Sequence, residues 1–298
     1  MTVLTTSDTT HIFTVDVEEH FHVSAFERHI GRADWDVHES RVERNVDILL
    51  GLLERHKSSG TFFVLGWLAQ RHPELVRRIA DAGHEIASHG YNHQRVTQHS
   101  PASFREDVRS AKQLLEDITG HAIAGFRAPS FSIVPGLEWA LDILLEEGHV
   151  YDSSLFPVRR RGYGYPSAPP LPHRVPRNCG TLLELPPMTL QWRKLRIPAG
   201  GGAYFRHFPY AITQHALREH GREHVPGVFY IHPWEVDPGQ PVLVRSPVTR
   251  LRHYGGLHNT ARRLERLLSE FRFTSAASRL GLATSSATGQ GGLPVASV

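Results

Sequence analysis

Residues 11–17, His-Ile-Phe-Thr-Val-Asp-Val, predict a buried β-strand because they are apolar and β-branched and are followed by acidic residues. Residues 41–57 predict an amphipathic helix, with apolar side chains recurring at helical spacing. Gly60 ends this helix, and residues 61–65 (TFFVL) predict a second strand. A strand, a helix and another strand in this order favour two parallel strands joined by a crossover helix.

The same alternation continues along most of the chain. Further strands are predicted at residues 85–88, 124–127, 150–153, 228–232 and 272–275, with helices at 73–82, 101–119, 136–147, 209–221 and 257–270. This pattern predicts an α/β fold, in which helices cover a parallel sheet that is either open or closed into a barrel. Residues 157–210 are rich in Pro, Gly and Arg and predict an irregular insertion, or cap, near the site. We expect residues 1–282 to form one catalytic domain and residues 283–298 to form a disordered tail.

Composition excludes several classes of function. The 33 basic and 30 acidic residues give a net charge of +3, and the basic residues form no stripe, so a nucleic-acid partner is not expected. The single cysteine, Cys179, excludes an intrachain disulfide and a four-cysteine zinc site. Residues 1–10 lack the pattern of a signal peptide, and no apolar run has the length of a membrane helix. We therefore predict a cytoplasmic protein without stable membrane insertion.

Residues suited to metal chemistry follow the first and third predicted strands. Asp16 and Glu18 share one face of an extended segment, so one carboxylate could bind a metal while the other takes a proton from water. His89 and His93 are four residues apart and can converge on one metal ion. His20 and His22 lie nearby as rival ligands.

Three further charged residues follow other strands. Arg127 could pair with a buried carboxylate, and Asp152 ends the strand at 150–153. His232 ends an apolar strand, where a partner carboxylate such as Asp152 would raise the pKa of the imidazole and make it a usable general acid. Because active sites of parallel α/β folds gather at the carboxyl ends of strands, we expect these groups to meet.

These motifs, in this order, resemble the polysaccharide deacetylase family, also called the NodB-homology or carbohydrate esterase family 4 group. The resemblance runs from about residue 12 to about residue 234, and residues 60–64, 83–86 and 89–93 are especially typical. It is strongest to exopolysaccharide-linked deacetylases that have an Asp-Val-Glu first motif and a C-terminal extension. The implied fold is a distorted (β/α) barrel with fewer than eight full units and an irregular insertion near the active site.

The resemblance also implies residue roles. Asp16 matches the catalytic base, Arg127 the arginine that orients it, Asp152 the aspartate that tunes the acid, His232 the general acid, and His89 and His93 the metal-binding histidines. The family usually has a second aspartate next to the first, where this chain has Val17. Glu18 is the natural replacement as the third metal ligand, and Glu19 is the alternative. The family metal is usually zinc.

The function implied is the removal of N-acetyl groups from a sugar within a polysaccharide, oligosaccharide or glycoside. Trp234, Tyr163 and Tyr204 are candidates for stacking against that sugar. An alternative is a metal-dependent amidohydrolase acting on a cyclic imide or another non-sugar amide, because relatives with the spaced acidic motif include such enzymes. A second alternative is a carbohydrate-binding protein that has lost catalysis, although the base, the acid and the orienting arginine are all present.

Overall fold

A computed structural model describes residues 9–282 except residues 28, 161, 194 and 245. Its main sheet has the strand order β10-β1-β2-β3-β4-β5-β7-β6, and β11 pairs with the start of β1. All pairs in this sheet are parallel except that between β6 and β7. The strands are β1 (His11–Val17), β2 (Thr61–Val64), β3 (Glu85–Ser88), β4 (Gly125–Phe126), β5 (Tyr151–Asp152), β6 (His173–Arg177), β7 (Gly180–Glu184), β8 (Thr189–Trp192), β9 (Leu195–Pro198), β10 (Val228–Ile231) and β11 (Phe273–Thr274).

Helices follow most strands and cover the sheet. They are α1 (Val42–Arg55), α2 (Gly66–Arg71), α3 (Pro73–Asp81), α4 (Pro101–Thr119), α5 (Trp139–Glu146), α6 (Gly202–His207), α7 (Tyr210–Arg222), α8 (Pro247–Tyr254), α9 (Leu257–Glu270) and α10 (Ala276–Leu280). The alternation predicted from the sequence is confirmed, and the bounds of α4 and α9 coincide with the predicted ones.

The sheet is held by apolar burial at its centre. All seven residues of β1 are buried, as expected for a strand with parallel neighbours and helices on its faces. The largest apolar cluster joins β1, β2 and β10 to the inner faces of α1, α3 and α9. The sheet curls into an incomplete barrel, in which Met188 N–H donates to Val228 O (3.0 Å) and Tyr230 N–H donates to Gly200 O (2.7 Å). These bonds place the chain after β7 against the free edge of β10, and the predicted (β/α) barrel type is confirmed.

Residues 157–210 were expected to be irregular, and they are not irregular throughout, because they contain β6 to β9 and α6. β6 and β7 form a hairpin whose turn is Asn178–Cys179, and this hairpin extends the main sheet beyond β5. Pro176 lies within β6, and proline is tolerated there because β6 is an edge strand. β8 and β9 pair separately as a two-stranded antiparallel unit.

The predicted disordered tail at residues 283–298 lies outside the described residues. Within the described part of the chain, no helix has both the length and the apolar character that crossing a bilayer requires.

Candidate active site

The predicted chemical residues lie at one edge of the sheet, where its parallel strands end. Asp16 lies near the end of β1 and Glu18 just after it, His89 follows β3, Arg127 follows β4, and His232 follows β10. The first four are buried, and the side chain of His232 is 18% exposed. The structure therefore brings together groups that are far apart in sequence, as expected for the carboxyl ends of parallel strands.

Glu18, His89 and His93 form a compact set of metal-type ligands. Glu18 Oε1 lies 3.0 Å from His89 Nε2 and 2.9 Å from His93 Nε2, and one ligand atom from each residue lies within 4.8 Å of the others. His89 Nδ1 lies 2.7 Å from the carbonyl oxygen of Arg127, which accepts the Nδ1 proton and orients Nε2 toward Glu18. Two imidazoles and one carboxylate suit a divalent transition metal such as zinc, so the residues present fit the metal that the resemblance implies.

The charges around Glu18 favour its ionised form. Burial raises the pKa of this carboxyl, but the charges of His93 and His232 and hydrogen bonds from His89 and His93 outweigh burial and hold the pKa well below its usual value. A carboxylate that stays ionised is ready to bind a cation.

The loop after β3 is shaped to return His93 toward Glu18. His93 adopts a left-handed backbone conformation (φ 52°), and Gly90 does the same (φ 73°). Asp107, on α4, accepts the backbone N–H groups of Tyr91 (2.7 Å) and Asn92 (3.2 Å) between the two histidines. Asp107 therefore fixes the loop that carries both imidazoles, and its role was not predicted because it depends on how α4 packs.

Glu19, the alternative to Glu18 as a metal ligand, points toward the start of α1. Its Oε1 accepts the backbone N–H groups of Arg41 (2.8 Å) and Val42 (3.0 Å), and so satisfies the start of α1. The rival ligands also lie outside the three-residue set. The imidazole of His22 contacts two tryptophan rings, and His20 Nδ1 lies 3.5 Å from Glu19 Oε2.

Asp16 is held by the fully buried Arg127. Arg127 Nη1 donates to Asp16 Oδ1 (2.6 Å) and to Thr14 Oγ1 (2.8 Å), and Nη2 donates to Ser153 Oγ (2.7 Å). The other carboxylate oxygen of Asp16 lies 3.8 Å from His232 Nε2. One oxygen of Asp16 is thus fixed, and the other faces the cleft between the metal-type ligands and His232.

His232 pairs with Glu235 and not with Asp152, so the predicted His232–Asp152 partnership is wrong. After β10 the chain forms a short 3-10 helix, Pro233–Val236, which turns the side chain of Glu235 back toward His232. Glu235 Oε1 lies 2.6 Å from His232 Nδ1 and also accepts the His232 backbone N–H (3.1 Å). Burial lowers the pKa of His232, but the carboxylates of Glu18, Glu235 and Asp16 outweigh burial and raise the pKa to about 9.

A buried arginine completes this arrangement. Arg206, on α6, donates from Nε to Glu235 Oε2 (2.6 Å) and from Nη1 to the carbonyl oxygens of His253 and Gly255 (both 2.7 Å). Burial raises the pKa of Glu235, but Arg206 and the bond with His232 outweigh burial and lower it. The spacing His232-Pro-Trp-Glu235 was the only sequence signal for this carboxylate, and nothing in the sequence indicated Arg206.

Asp152 has other hydrogen-bond partners. It ends β5, and β1, β2, β3 and β4 separate β5 from β10 in the sheet. Asp152 accepts hydrogen bonds from the Ser154 hydroxyl (2.6 Å) and backbone N–H (3.1 Å), and its register partner is Glu184. Burial and the neighbouring Asp152 raise the pKa of Glu184 well above its usual value, so this carboxyl pair retains a proton.

A cleft of about 670 Å³ opens above the site. Asp16, Glu18, His93 and His232 lie at its base, and Arg160, Tyr163 and residues of α6 and α8 also line it. The three predicted sugar-stacking residues, Trp234, Tyr163 and Tyr204, all line it. A cleft of this volume can accept a sugar unit or a short oligosaccharide.

These three aromatic residues are not equally available. Trp234 is 5% exposed, its indole stacks with the rings of His232 (5.1 Å) and His253 (4.5 Å), and the Arg206 guanidinium lies 5.2 Å from its ring. Little of the indole remains for a sugar, so Trp234 supports the position of His232. Tyr163 and Tyr204 are half-buried and share a hydrogen bond between their hydroxyls (2.7 Å).

Two regions of the chain match known protein families. Residues 35–137 match the model of the polysaccharide deacetylase family, and residues 153–280 match a domain of unknown function, DUF3473. The peptidoglycan-N-acetylglucosamine deacetylase of Bacillus cereus is 32% identical over 95 residues, which cover 32% of this chain and 34% of that protein. The match therefore spans about a third of that relative's length.

Two solved structures share the fold over almost the whole chain. A Mycobacterium smegmatis protein described as a polysaccharide deacetylase has a TM-score of 0.58 at 23% identity, covering 90% of this chain and 93% of that one. An allantoinase has a TM-score of 0.60 at 17% identity, covering 93% of this chain and 90% of that one. Residues 35–137 thus resemble the polysaccharide deacetylase family, of the NodB-homology or carbohydrate esterase family 4 type, and the chain shares the fold of both solved structures.

Proposed function

We propose that this protein is a metal-dependent hydrolase that removes the N-acetyl group from an N-acetylated sugar in a polysaccharide, oligosaccharide or glycoside. One observation carries the proposal. A carboxylate and two imidazoles converge as metal-type ligands, and a held carboxylate, Asp16, and an imidazole, His232, face the same cleft. The name of the Bacillus cereus relative, which acts on N-acetylglucosamine units, supports the choice of an acetamido sugar.

We assign the metal to Glu18, His89 and His93 and propose zinc, which this ligand set suits. When bound there, the ion would supply Lewis-acid polarisation of the amide carbonyl. We also propose, from the sequence alone, that the protein acts in exopolysaccharide biosynthesis and that it acts in the cytoplasm.

Asp16 is the proposed general base. Arg127 fixes Oδ1 of Asp16, so the carboxylate cannot turn away from the cleft, and Oδ2 can accept a proton from the attacking water. Thr14 and Ser153 accept hydrogen bonds from the Arg127 guanidinium. The position of the base therefore depends on buried contacts among residues in or next to β1, β4 and β5.

His232 is the proposed general acid. Its raised pKa keeps the imidazole protonated at neutral pH, and Nε2 lies on the cleft side, since Nδ1 is bound by Glu235. Nε2–H can therefore donate to the amine nitrogen as the carbon–nitrogen bond breaks, releasing acetate and the free amino sugar. Glu235 stabilises the charged ring and fixes its orientation, and Arg206 fixes Glu235.

The test is acetate release from N-acetylglucosamine oligomers and glycosides, measured on protein stripped with a chelator and on the same protein reloaded with zinc. Release that requires zinc and disappears in Asp16→Asn is the expected result, with His121→Ala as a control at an exposed histidine. A reloaded protein that binds zinc and releases no acetate would refute the sugar assignment. A panel of cyclic imides and other amides then tests the alternative amidohydrolase, and carbohydrate binding without any hydrolysis would indicate an inactive binding protein.

A further inference from the structure

The outer part of the active-site cleft is rich in arginine. Asp16 and Glu18 are the only carboxylates among the described residues that line the cleft, and both lie at its base. Four arginines line it: Arg95, Arg160, Arg206 and Arg252. The two carboxylates are buried, whereas Arg160 and Arg252 are exposed, so the solvent-facing part of the cleft carries positive charge.

Two of these arginines are already paired. The buried Arg206 binds Glu235, and Arg95 Nε donates to Glu27 (3.1 Å). Arg160 and Arg252 are exposed, and among the described residues neither forms an ion pair with a carboxylate. Their charges are therefore available to a molecule in the cleft.

Arg160 and Arg252 come from different parts of the chain and line the same cleft as Tyr163 and Tyr204. Arg160 Nε donates to the Tyr204 hydroxyl (3.2 Å), which itself bonds the Tyr163 hydroxyl (2.7 Å). Burial and Tyr204 raise the pKa of Tyr163, while the charges of Arg160 and Arg252 lower it, so both guanidinium groups act on Tyr163. Arg252 lies in the last turn of α8, and its backbone carbonyl accepts from His207 Nε2 (3.0 Å), which ties α8 to α6.

On the basis of the proposed deacetylase function, we propose that the substrate carries an oxyanion, either a phosphate or a carboxylate, which binds between Arg160 and Arg252 while its acetamido group lies at Glu18 and His232. A planar guanidinium offers paired donors that match both kinds of oxyanion. A cleft with positive walls also concentrates anionic ligands ahead of neutral ones. The acceptable substrates are then phosphorylated N-acetyl sugars or oligosaccharides that contain a uronic acid.

Equilibrium binding to the zinc-loaded full chain tests this site without requiring turnover. In an Asp16→Asn background, which prevents hydrolysis, the probes are N-acetylglucosamine 1-phosphate, a disaccharide of N-acetylglucosamine and glucuronic acid, and neutral diacetylchitobiose. The test variant is Arg160→Gln/Arg252→Gln. The control is Arg159→Gln/Arg250→Gln, which makes the same charge change at exposed arginines that do not line the cleft.

We expect the test variant to bind at least one charged probe about tenfold more weakly, because charge-assisted hydrogen bonds at a partly exposed site are worth this order of affinity. Diacetylchitobiose should change by less than about twofold, and the control should bind all probes like its parent. Loss of the phosphate probe alone identifies a phosphorylated substrate, and loss of the glucuronic acid probe alone identifies an acidic oligosaccharide.

Equal weakening of charged and neutral probes, or equal weakening by the control, would overturn the proposal. A second measurement on the chain with Arg160 and Arg252 intact covers the case in which the double variant fails to fold. Raising the salt concentration should weaken the charged probe and leave diacetylchitobiose unchanged, and a salt-independent affinity for every probe would contradict the oxyanion site. Failure of the proposed function is seen separately, as charged-probe binding without acetate release from any acetamido sugar.

Discussion

Replacing Glu235 by Gln tests how the protein keeps His232 protonated. Glu235 is fully buried and holds His232 Nδ1 at 2.6 Å, so the substitution removes one negative charge with little change of shape. The folded-state pKa of His232 is raised from 6.5 to about 9, so the charged ring is favoured until the pH rises through that value. A general acid is needed in its protonated form, and activity should fall on the alkaline side as His232 loses its proton.

The size of the effect follows from the lost charge. A hydrogen bond to a charged group contributes about 1.5–3 kcal/mol, and one pKa unit corresponds to about 1.4 kcal/mol, so the pKa of His232 should fall by about 1–2 units in Glu235→Gln. A cation bound at Glu18 cancels part of the effect of that carboxylate on His232. The pKa of His232 should therefore be lower in the zinc-loaded protein than in the metal-free protein. The pKa of His232 should be lower in Glu235→Gln than in the parent protein, both with zinc and without it.

The assay is the pH dependence of acetate release, joined to an NMR titration of the His232 ring. The alkaline limb should move to lower pH in Glu235→Gln, with kcat reduced more than KM changes, because the group acts on proton transfer and not on binding. Glu235→Gln also leaves Arg206 without its carboxylate, and breaking a buried pair costs about 3–5 kcal/mol. Unfolding should therefore be measured alongside, and Glu235→Asp, which retains the charge, should partly restore the alkaline limb.

Asp152→Asn is the matched control, because it removes a buried carboxylate that does not contact His232 and forms its bonds with Ser154. Asp152→Asn should not change the pH at which activity falls on the alkaline side. An unchanged limb and an unchanged His232 titration in a folded Glu235→Gln protein would refute the assigned partnership, as would an alkaline limb that moves in Asp152→Asn.

Three further outcomes are expected. His89→Ala should lose zinc and turnover together, as measured by metal analysis and acetate release, while His121→Ala should retain both. His232→Ala should keep its zinc and lose about 10²–10⁴-fold in kcat, and full activity would exclude it as the acid. Burial and Asp152 raise the pKa of Glu184, so the folded state holds a proton that the unfolded chain gives up, and the contribution of Glu184 to stability should fall as pH rises above about 4.5. Urea denaturation at several pH values should show that the free energy of unfolding falls less with rising pH in Glu184→Gln than in the parent. An identical pH dependence in the two proteins would contradict the proton shared by Glu184 and Asp152.

The parts of the fold that the sequence predicts well are those with strong local patterns. α4 begins after Ser100, whose side chain accepts from Ser103 N–H, and ends at Gly120 in a left-handed conformation (φ 70°), so both of its bounds were readable. β1 is mostly apolar and β-branched and could be recognised as buried. The convergence of Asp16, Glu18, His89 and His93 also follows from topology, because parallel strands end at a common edge.

The parts that could not be predicted depend on packing between distant segments. β6 and β7 contain proline, arginine and glycine, which obscure a strand pattern, and they form strands because β7 finds an edge at β5. Glu235 reaches His232 only because a 3-10 turn follows β10. Trp234 resembles a sugar platform in sequence, but the packing of His253 and Arg206 against its ring covers it.

The site draws on both matched regions of the chain and on β1, which precedes them and carries Asp16 and leads to Glu18, and this division has a consequence for specificity. His89, His93 and Arg127 lie in the polysaccharide deacetylase match at residues 35–137, whereas His232, Glu235 and Arg206 lie in the DUF3473 match at residues 153–280. The second region thus contributes the proposed proton donor with its buried support, as well as the cleft wall that carries Arg160 and Arg252. Because the metal-type ligands and the base contact only the acetamido group in the proposed reaction, they cannot distinguish one N-acetyl sugar from another. Much of the remaining cleft lining comes from residues 153–280, so we expect substitutions at Arg160 and Arg252 to alter substrate preference while leaving zinc binding intact.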